Sequence, residues 1–165
     1  MPVVEWRPEF SVGIARLDAE HRQLISVLNK LNRAIINQQE VFVLGRILSE
    51  LDWYTRSHFK AEEVLMKNHA YPGLAEHIVE HERFKEQVGQ YASHFRSGRV
   101  SIAVEVSDAL QEWLLKHILQ SDADFASYFQ ANGADADVNG GADMEIPESA
   151  PYQQEDFWAK EIWTY

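Results

Sequence analysis

Five histidines and two carboxylates are spaced along this chain in a way that could bind metal ions. His58 and Glu62 are four residues apart, and so are His77 and His81. Residues four apart on an α-helix project from one face, about 6 Å apart along its axis. Each pair could therefore offer two ligands to a single small site.

His21, His117 and Asp122 complete the set if the segments around them are helical as well. A four-residue pair alone is weak evidence, because such pairs are also common on solvated helix faces. The alternative for the whole set is that five core histidines each find an ordinary partner. Because unpaired polar groups in a helix-bundle interior cost free energy, metal binding explains their coincidence better.

The chain has no cysteine, so thiolate metal sites and disulfides are excluded and any metal must bind to nitrogen and oxygen. The N-terminus has neither the basic region nor the apolar region of a signal peptide. No apolar run approaches the roughly 18 residues of a membrane span. These features predict a cytoplasmic protein without a membrane partner.

Helical periodicity dominates the chain from about residue 18, and alternating strand patterns are absent from the first 130 residues. The fold class is therefore all-α. Short connections between helices favour antiparallel neighbours, which predicts an up-down-up-down four-helix bundle with an N-terminal arm over residues 1–17. The predicted helices cover about 18–38, 42–68, 74–96 and 101–120, with a shorter amphipathic piece through Phe129.

The candidate ligands lie on the inward stripes of these four helices, so all of them could meet in the bundle core. Asp122 needs a further assumption, because five residues separate it from His117 and this offset does not fit an ideal helical turn. We therefore predict a wide turn or a loosened helix end that brings Asp122 back toward the site.

The composition divides the chain into a bundle over residues 1–132 and an acidic extension over 133–165. The extension carries eight of the acidic residues and one lysine, a net charge of −7 out of the total of −11. We predict a linker over 133–151 and an aromatic peptide over 152–165 that docks on a partner or packs back on the bundle. Neither part has the clustered basic face that nucleic acid requires.

Several motifs resemble those of the bacterial hemerythrins from residue 6 to about residue 129. The resemblance is carried by Trp6, Phe10-Ser11-Val12-Gly13-Ile14, Leu17-Asp18-x-x-His21, His58-Phe59-x-x-Glu62-Glu63-x-x-Met66, Tyr71-Pro72, His77-x-x-x-His81 and Trp113-Leu114-x-x-His117-Ile118-x-x-x-Asp122.

The resemblance implies a cofactor of two iron ions (Fe²⁺/Fe³⁺) joined by an oxo or hydroxo group. One iron would be held by His77, His81 and His117 and the other by His21 and His58. Glu62 and Asp122 would bridge the two ions.

Counting ligands in that arrangement gives six for the first iron and five for the second, which leaves one open position for a small ligand. In the family this ligand is O₂, which binds reversibly as hydroperoxide. Five neutral imidazoles and two carboxylates carry less negative charge than the sites of carboxylate-rich oxidases. We therefore expect an oxygen-binding protein for storage, delivery or scavenging, and not an enzyme.

Apolar residues beside the ligands are candidates for the wall of an O₂ pocket, although each could equally be ordinary core. An apolar wall would exclude the water that promotes autoxidation. The candidates are Leu24, Phe59, Trp113, Leu114 and Ile118.

Glu20 and Phe125 stand where the family usually has Gln and often has Tyr. Neither is at a ligand position, but both bear on the hydrogen bonding around the ligands, which the resemblance therefore does not predict. His69 and His94 fall outside the ligand pattern and receive no role.

Three other functions stay open at this point. The chain could be an oxygen or redox sensor that signals through a partner, an enzyme that handles peroxide or nitric oxide, or an iron store. Some hemerythrin-like proteins are cargo of a protein shell, so a shell is one candidate partner for residues 152–165.

Overall fold

Helices account for most of the described residues, 4–99 and 103–132, of the computed structural model. The predicted extension over 133–165 lies outside the described residues, as do residues 101–102. No strand occurs within the described ranges, so the all-α prediction is confirmed. The helices are α1 (Ala15–Ile36), α2 (Val41–Asn68), α3 (Leu74–Arg96), α4 (Ala103–His117) and α5 (Ala123–Ala131), with a π-helical turn over Ile118–Asp122 and a 3₁₀ turn over Pro8–Phe10.

The predicted up-down-up-down bundle is confirmed by the packing of the helices. Helix α1 packs against α2 and α4, and α2 packs against α3. The connections 37–40 and 69–73 are short, which makes consecutive helices antiparallel neighbours. Helix α5 continues from α4 through the π-helical turn, so these elements form the fourth column of the bundle.

The boundaries of α1 differ from the predicted 18–38 at both ends. Asp18 lies inside the first turn, where its carboxylate accepts hydrogen bonds from the Val12 N–H at 2.8 Å and the Ser11 hydroxyl at 2.5 Å. The helix ends at Ile36 because Gln38 adopts a left-handed φ of 52°. The Gln39 N–H then donates to the carbonyl of Ala34, which closes the helix end.

The N-terminal arm is held along α1 by contacts on both sides of the 3₁₀ turn. The backbone of Val4 exchanges two hydrogen bonds of 2.8 Å with the Asn29 amide. The Arg22 guanidinium lies 4.1 Å from the Trp6 ring centroid, and Phe10 is buried in the core. From Val4 onward the arm is therefore part of the folded domain, whereas residues 1–3 lie outside the described residues.

The apolar core consists of two clusters. The larger one fills the half of the bundle that contains the α1–α2 connection and includes Leu24, Leu48, Phe59, Phe84, Leu114 and Ile118. The smaller one lies at the other end and includes Val12, Ile14, Leu17, Met66, Phe125 and Phe129. Along each column of the bundle, the candidate ligands lie between residues of the two clusters.

None of the described helices combines the length and the apolar character needed to cross a membrane.

Replacing Asp18 with Ala should destabilise the protein by about 2 kcal/mol, because it removes two hydrogen bonds to a buried carboxylate and frees the arm. The matched control is Asp108→Ala, since Asp108 is exposed on α4 and such surface changes usually stay within about 0.5 kcal/mol. Urea unfolding followed by circular dichroism measures both. Equal stabilities of the two variants would contradict the anchoring role.

Candidate metal centre

The structure brings all seven candidate ligands together between the two core clusters. Every one of them is buried. Their ligand atoms form two groups that share Glu62, and within each group the atoms lie within 4.8 Å of one another. The first group is Glu62, His77, His81 and His117; the second is His21, His58, Glu62 and Asp122.

Glu62 presents one carboxylate oxygen to each group of histidines. Its Oε1 lies 3.4 Å from His58 Nε2 and 3.7 Å from His21 Nε2. Its Oε2 lies 3.3 Å from His81 Nε2 and 3.6 Å from His77 Nε2. The carboxylate therefore faces two separate sets of nitrogen ligands, as a bridging ligand must.

Asp122, in the fourth column of the bundle, also presents one carboxylate oxygen to each group of histidines. Its Oδ2 lies 3.2 Å from His21 Nε2, whereas Oδ1 lies 3.1 Å from His117 Nε2 and 3.2 Å from His77 Nε2. The π-helical turn over Ile118–Asp122 directs this side chain inward, so the predicted wide turn is confirmed.

The chemistry of these atoms fits metal ions. The Nε2 atoms of His21, His58 and His77 and both oxygens of Glu62 and Asp122 are buried and make no hydrogen bond. The Nε2 atoms of His81 and His117 face each other at 3.1 Å. Since an imidazole nitrogen lies about 2.1 Å from a first-row ion such as zinc, two ligands at right angles on one ion would be separated by about 3 Å. Bound cations would therefore satisfy the unpartnered atoms.

Without metal, the buried carboxylates draw protons onto two of the histidines. Burial opposes the charged imidazole, but contacts with Asp122 and Glu62 outweigh it and raise the pKa of His21 to about 10 and that of His77 to about 9. Burial lowers the pKa of His81. Burial alone would raise the pKa of Glu62, yet the imidazoles around it, with His58 foremost, hold that pKa well below its usual range.

Three glutamates hydrogen-bond the outer nitrogens of the ligand histidines, and the sequence had indicated only one of them, Glu20, without its partner. Glu20 accepts from His58 Nδ1 at 2.9 Å, Glu63 contacts His81 Nδ1 at 2.8 Å, and Glu80 contacts His117 Nδ1 at 2.9 Å. Glu20 is therefore not among the candidate ligands, and its contact is a hydrogen bond to the outer nitrogen of one of them. Only the register between neighbouring helices reveals these contacts, so residue spacing within one helix gave no signal for them.

The five candidate pocket residues contact the core around the site in different ways. Leu24, Phe59, Leu114 and Ile118 are buried in the larger cluster, whereas Trp113 is partly buried against it. The Phe59 ring stacks on the His81 ring with their centroids 3.6 Å apart. Its centroid lies 5.8 Å from that of His58, the ligand beside which Phe59 was expected. Trp113 stacks on His117 at 4.5 Å. Both aromatic rings therefore lie against the three-histidine group.

The remaining residues noted in the sequence lie away from the ligand groups. His69 ends α2, and its Nδ1 contacts the carbonyl of Leu65 at 2.8 Å. Phe125 is buried in the smaller cluster against Tyr71. His94 is partly buried in the last turn of α3.

Comparison with known proteins identifies a family and several relatives that this chain resembles. The family model for the hemerythrin HHE cation binding domain matches residues 12–129. A bacteriohemerythrin of Stenotrophomonas maltophilia (strain R551-3) is 35% identical over 132 residues, which cover 80% of this chain and 85% of the relative. A bacteriohemerythrin of Pseudomonas aeruginosa (strain LESB58) is 30% identical over 120 residues, 73% of this chain and 77% of the relative.

The fold agrees with a solved structure. A crystal structure of wild-type hemerythrin aligns with a TM-score of 0.71 at 24% identity, covering 76% of this chain and 97% of that chain. The matched region contains the arm's end, all four columns of the bundle and every candidate ligand. The chain therefore belongs to the hemerythrin family.

Proposed function

We propose that this chain binds two iron ions in the core of its bundle and uses them to bind molecular oxygen reversibly. His77, His81 and His117 would hold one ion, His21 and His58 would hold the other, and Glu62 and Asp122 would bridge them. When bound, the iron pair supplies the electrons and the coordination position that oxygen binding requires.

The observation that carries this proposal is the division of the two carboxylates between the histidine groups. Glu62 turns Oε1 toward His58 and Oε2 toward His81, and Asp122 turns Oδ2 toward His21 and Oδ1 toward His117. A site for a single ion would not need carboxylates that face two ways.

The two groups also differ in the number of ligands that they offer. With one oxygen from each carboxylate, the three-histidine group offers five protein ligands and the two-histidine group offers four. The ion held by His21 and His58 is therefore the better candidate for an exogenous ligand. The buried, largely apolar surroundings restrict water at that position.

A spectrum of the anaerobically reduced, iron-loaded protein before and after exposure to air tests the function, together with metal analysis. We expect two iron ions per chain and a visible charge-transfer band that appears in air and bleaches under vacuum. A protein that holds two iron ions but shows no reversible band would contradict oxygen binding. Rapid turnover of peroxide or nitric oxide would favour an enzyme, and more than two ions per chain an iron store.

Metal loading should release about two protons per chain at neutral pH, because a coordinating nitrogen must be unprotonated and the pKa values of His21 and His77 are raised to about 10 and about 9. Ferrous iron should consequently bind more tightly as the pH rises from 7 toward 9. Anaerobic calorimetric titration in two buffers with different ionisation enthalpies measures the released protons. Identical heats in the two buffers would contradict this expectation.

Leu114→Ala should speed autoxidation of the oxygenated protein severalfold, because it opens the apolar core next to His117 to water. Leu119→Ala is the matched control, since Leu119 is exposed in the same column. Air oxidation followed by visible absorbance measures both variants, after circular dichroism has established that each is folded. An unchanged rate in Leu114→Ala would count against a pocket role for this residue.

A further inference from the structure

Three of the five ligand histidines are braced by carboxylates that are not ligands themselves. The hydrogen bonds from His58, His81 and His117 to these glutamates are 2.8–2.9 Å long. In each case Nδ1 faces the glutamate and Nε2 faces the buried site. We call Glu20, Glu63 and Glu80 the outer glutamates.

The outer glutamates connect the columns of the bundle in order. Glu20 on α1 reaches His58 on α2, Glu63 on α2 reaches His81 on α3, and Glu80 on α3 reaches His117 on α4. Each interaction therefore crosses one helix–helix interface. A chance surface contact would not be expected to recur at three successive interfaces.

Each outer glutamate is partly exposed to solvent, whereas the imidazole ring that it contacts is buried. The outer glutamate side chains are 20%, 26% and 44% exposed, whereas the imidazoles that they contact are at most 2% exposed. Water can thus stabilise the charge of each carboxylate, while the carboxylate occupies the only outward polar atom of the ring.

Two of the outer glutamates are themselves held in place. Glu80 also accepts a hydrogen bond of 2.7 Å from the Ser121 hydroxyl, which lies in the π-helical turn beside Asp122. Glu20 pairs with Arg16 at 3.1 Å through its other oxygen. These contacts limit the movement of the carboxylates away from the rings.

A carboxylate that accepts the Nδ1–H of a metal-bound imidazole makes that imidazole a stronger electron donor. Stronger donors stabilise Fe³⁺ more than Fe²⁺, since hydrogen bonding around the ligands tunes the potential of iron centres. Glu62 and Asp122 supply two negative charges to the site. The outer glutamates supply three more, each one hydrogen bond away from a ligand histidine. The negative charge around the site is therefore larger than that of its ligands alone.

We propose that Glu20, Glu63 and Glu80 are positioning residues that stabilise the oxidised, diferric form of the metal pair relative to the diferrous form. The inference rests on the proposed function, because it requires iron in both positions. It also narrows that function. A centre that favours the diferric form loses its reduced, oxygen-ready form readily and so suits scavenging or sensing of oxygen better than long-term storage.

The test is a potentiometric titration of the iron-loaded protein and of the variants Glu20→Gln, Glu63→Gln, Glu80→Gln and the triple variant. Dithionite supplies one electron to each iron and ferricyanide removes it, so the midpoint potential is measured in both directions. Glutamine keeps an acceptor oxygen for Nδ1–H but removes the charge. We expect the midpoint to shift to more positive values in each single variant and furthest in the triple variant.

The matched control is a second triple variant, Glu86→Gln, Glu105→Gln and Glu112→Gln, which removes the same charge from exposed positions on α3 and α4. Its midpoint should stay at the wild-type value. An equal shift in both triple variants would overturn the proposal, because it would reduce the effect to overall charge.

Alanine variants separate orientation of the rings from electronic tuning. Replacing an outer glutamate with alanine should weaken iron binding by about 10–100-fold, measured as the release of iron to a chelator. If the alanine variants lose iron while the glutamine variants keep the wild-type midpoint, the outer glutamates only orient the rings and the proposal fails. The single variants keep the test decisive if the triple variant does not fold.

Metal analysis of the wild-type protein distinguishes this failure from that of the proposed function. A wild-type chain that does not hold two iron ions overturns both inferences. A wild-type chain that holds two iron ions, with unchanged midpoints in all glutamine variants, overturns only the role of the outer glutamates.

Discussion

The structure depends on the burial of two carboxylates, Glu62 and Asp122, in the middle of an apolar bundle. An unpaired buried carboxylate costs so much free energy that it normally becomes protonated. Here both are surrounded by imidazoles and their pKa values are lowered, with burial opposing the shift in each case. Positive charge must therefore be present next to them, and every column of the bundle supplies a histidine for that purpose.

This requirement explains the irregular part of the fourth column. Residues of an α-helix are rotated by about 100° each, so five residues would leave His117 and Asp122 about 140° apart around the axis. The π-helical turn over Ile118–Asp122 accommodates one extra residue in the helix. Both side chains then point to the same buried site, and α5 continues the column into the smaller core cluster.

The sequence predicted features that follow from spacing within one helix. The third helix was predicted over 74–96, which agrees with the observed Leu74–Arg96, and the offset between His117 and Asp122 predicted the wide turn. The end of α1 was missed, because Gln38 takes a left-handed conformation that usually marks glycine. The partner of Glu20 and the contacts of Glu63 and Glu80 were missed because they depend on how neighbouring helices align, and no single helix carries that information.

Either protonated histidines or metal cations can supply the positive charge that Glu62 and Asp122 require. In the metal-free protein, His21 and His77 supply that charge as imidazolium groups, since their pKa values are raised to about 10 and about 9. If metal ions bind as proposed, the cations would replace those protons and also satisfy the Nε2 atoms that make no hydrogen bond. Glu62 and Asp122 therefore have positive partners in the metal-free fold, and the proposed cations would take over that role on loading. The outer glutamates hold His58 and His81 with Nε2 directed toward the site, so loading would exchange protons for metal without requiring these rings to turn.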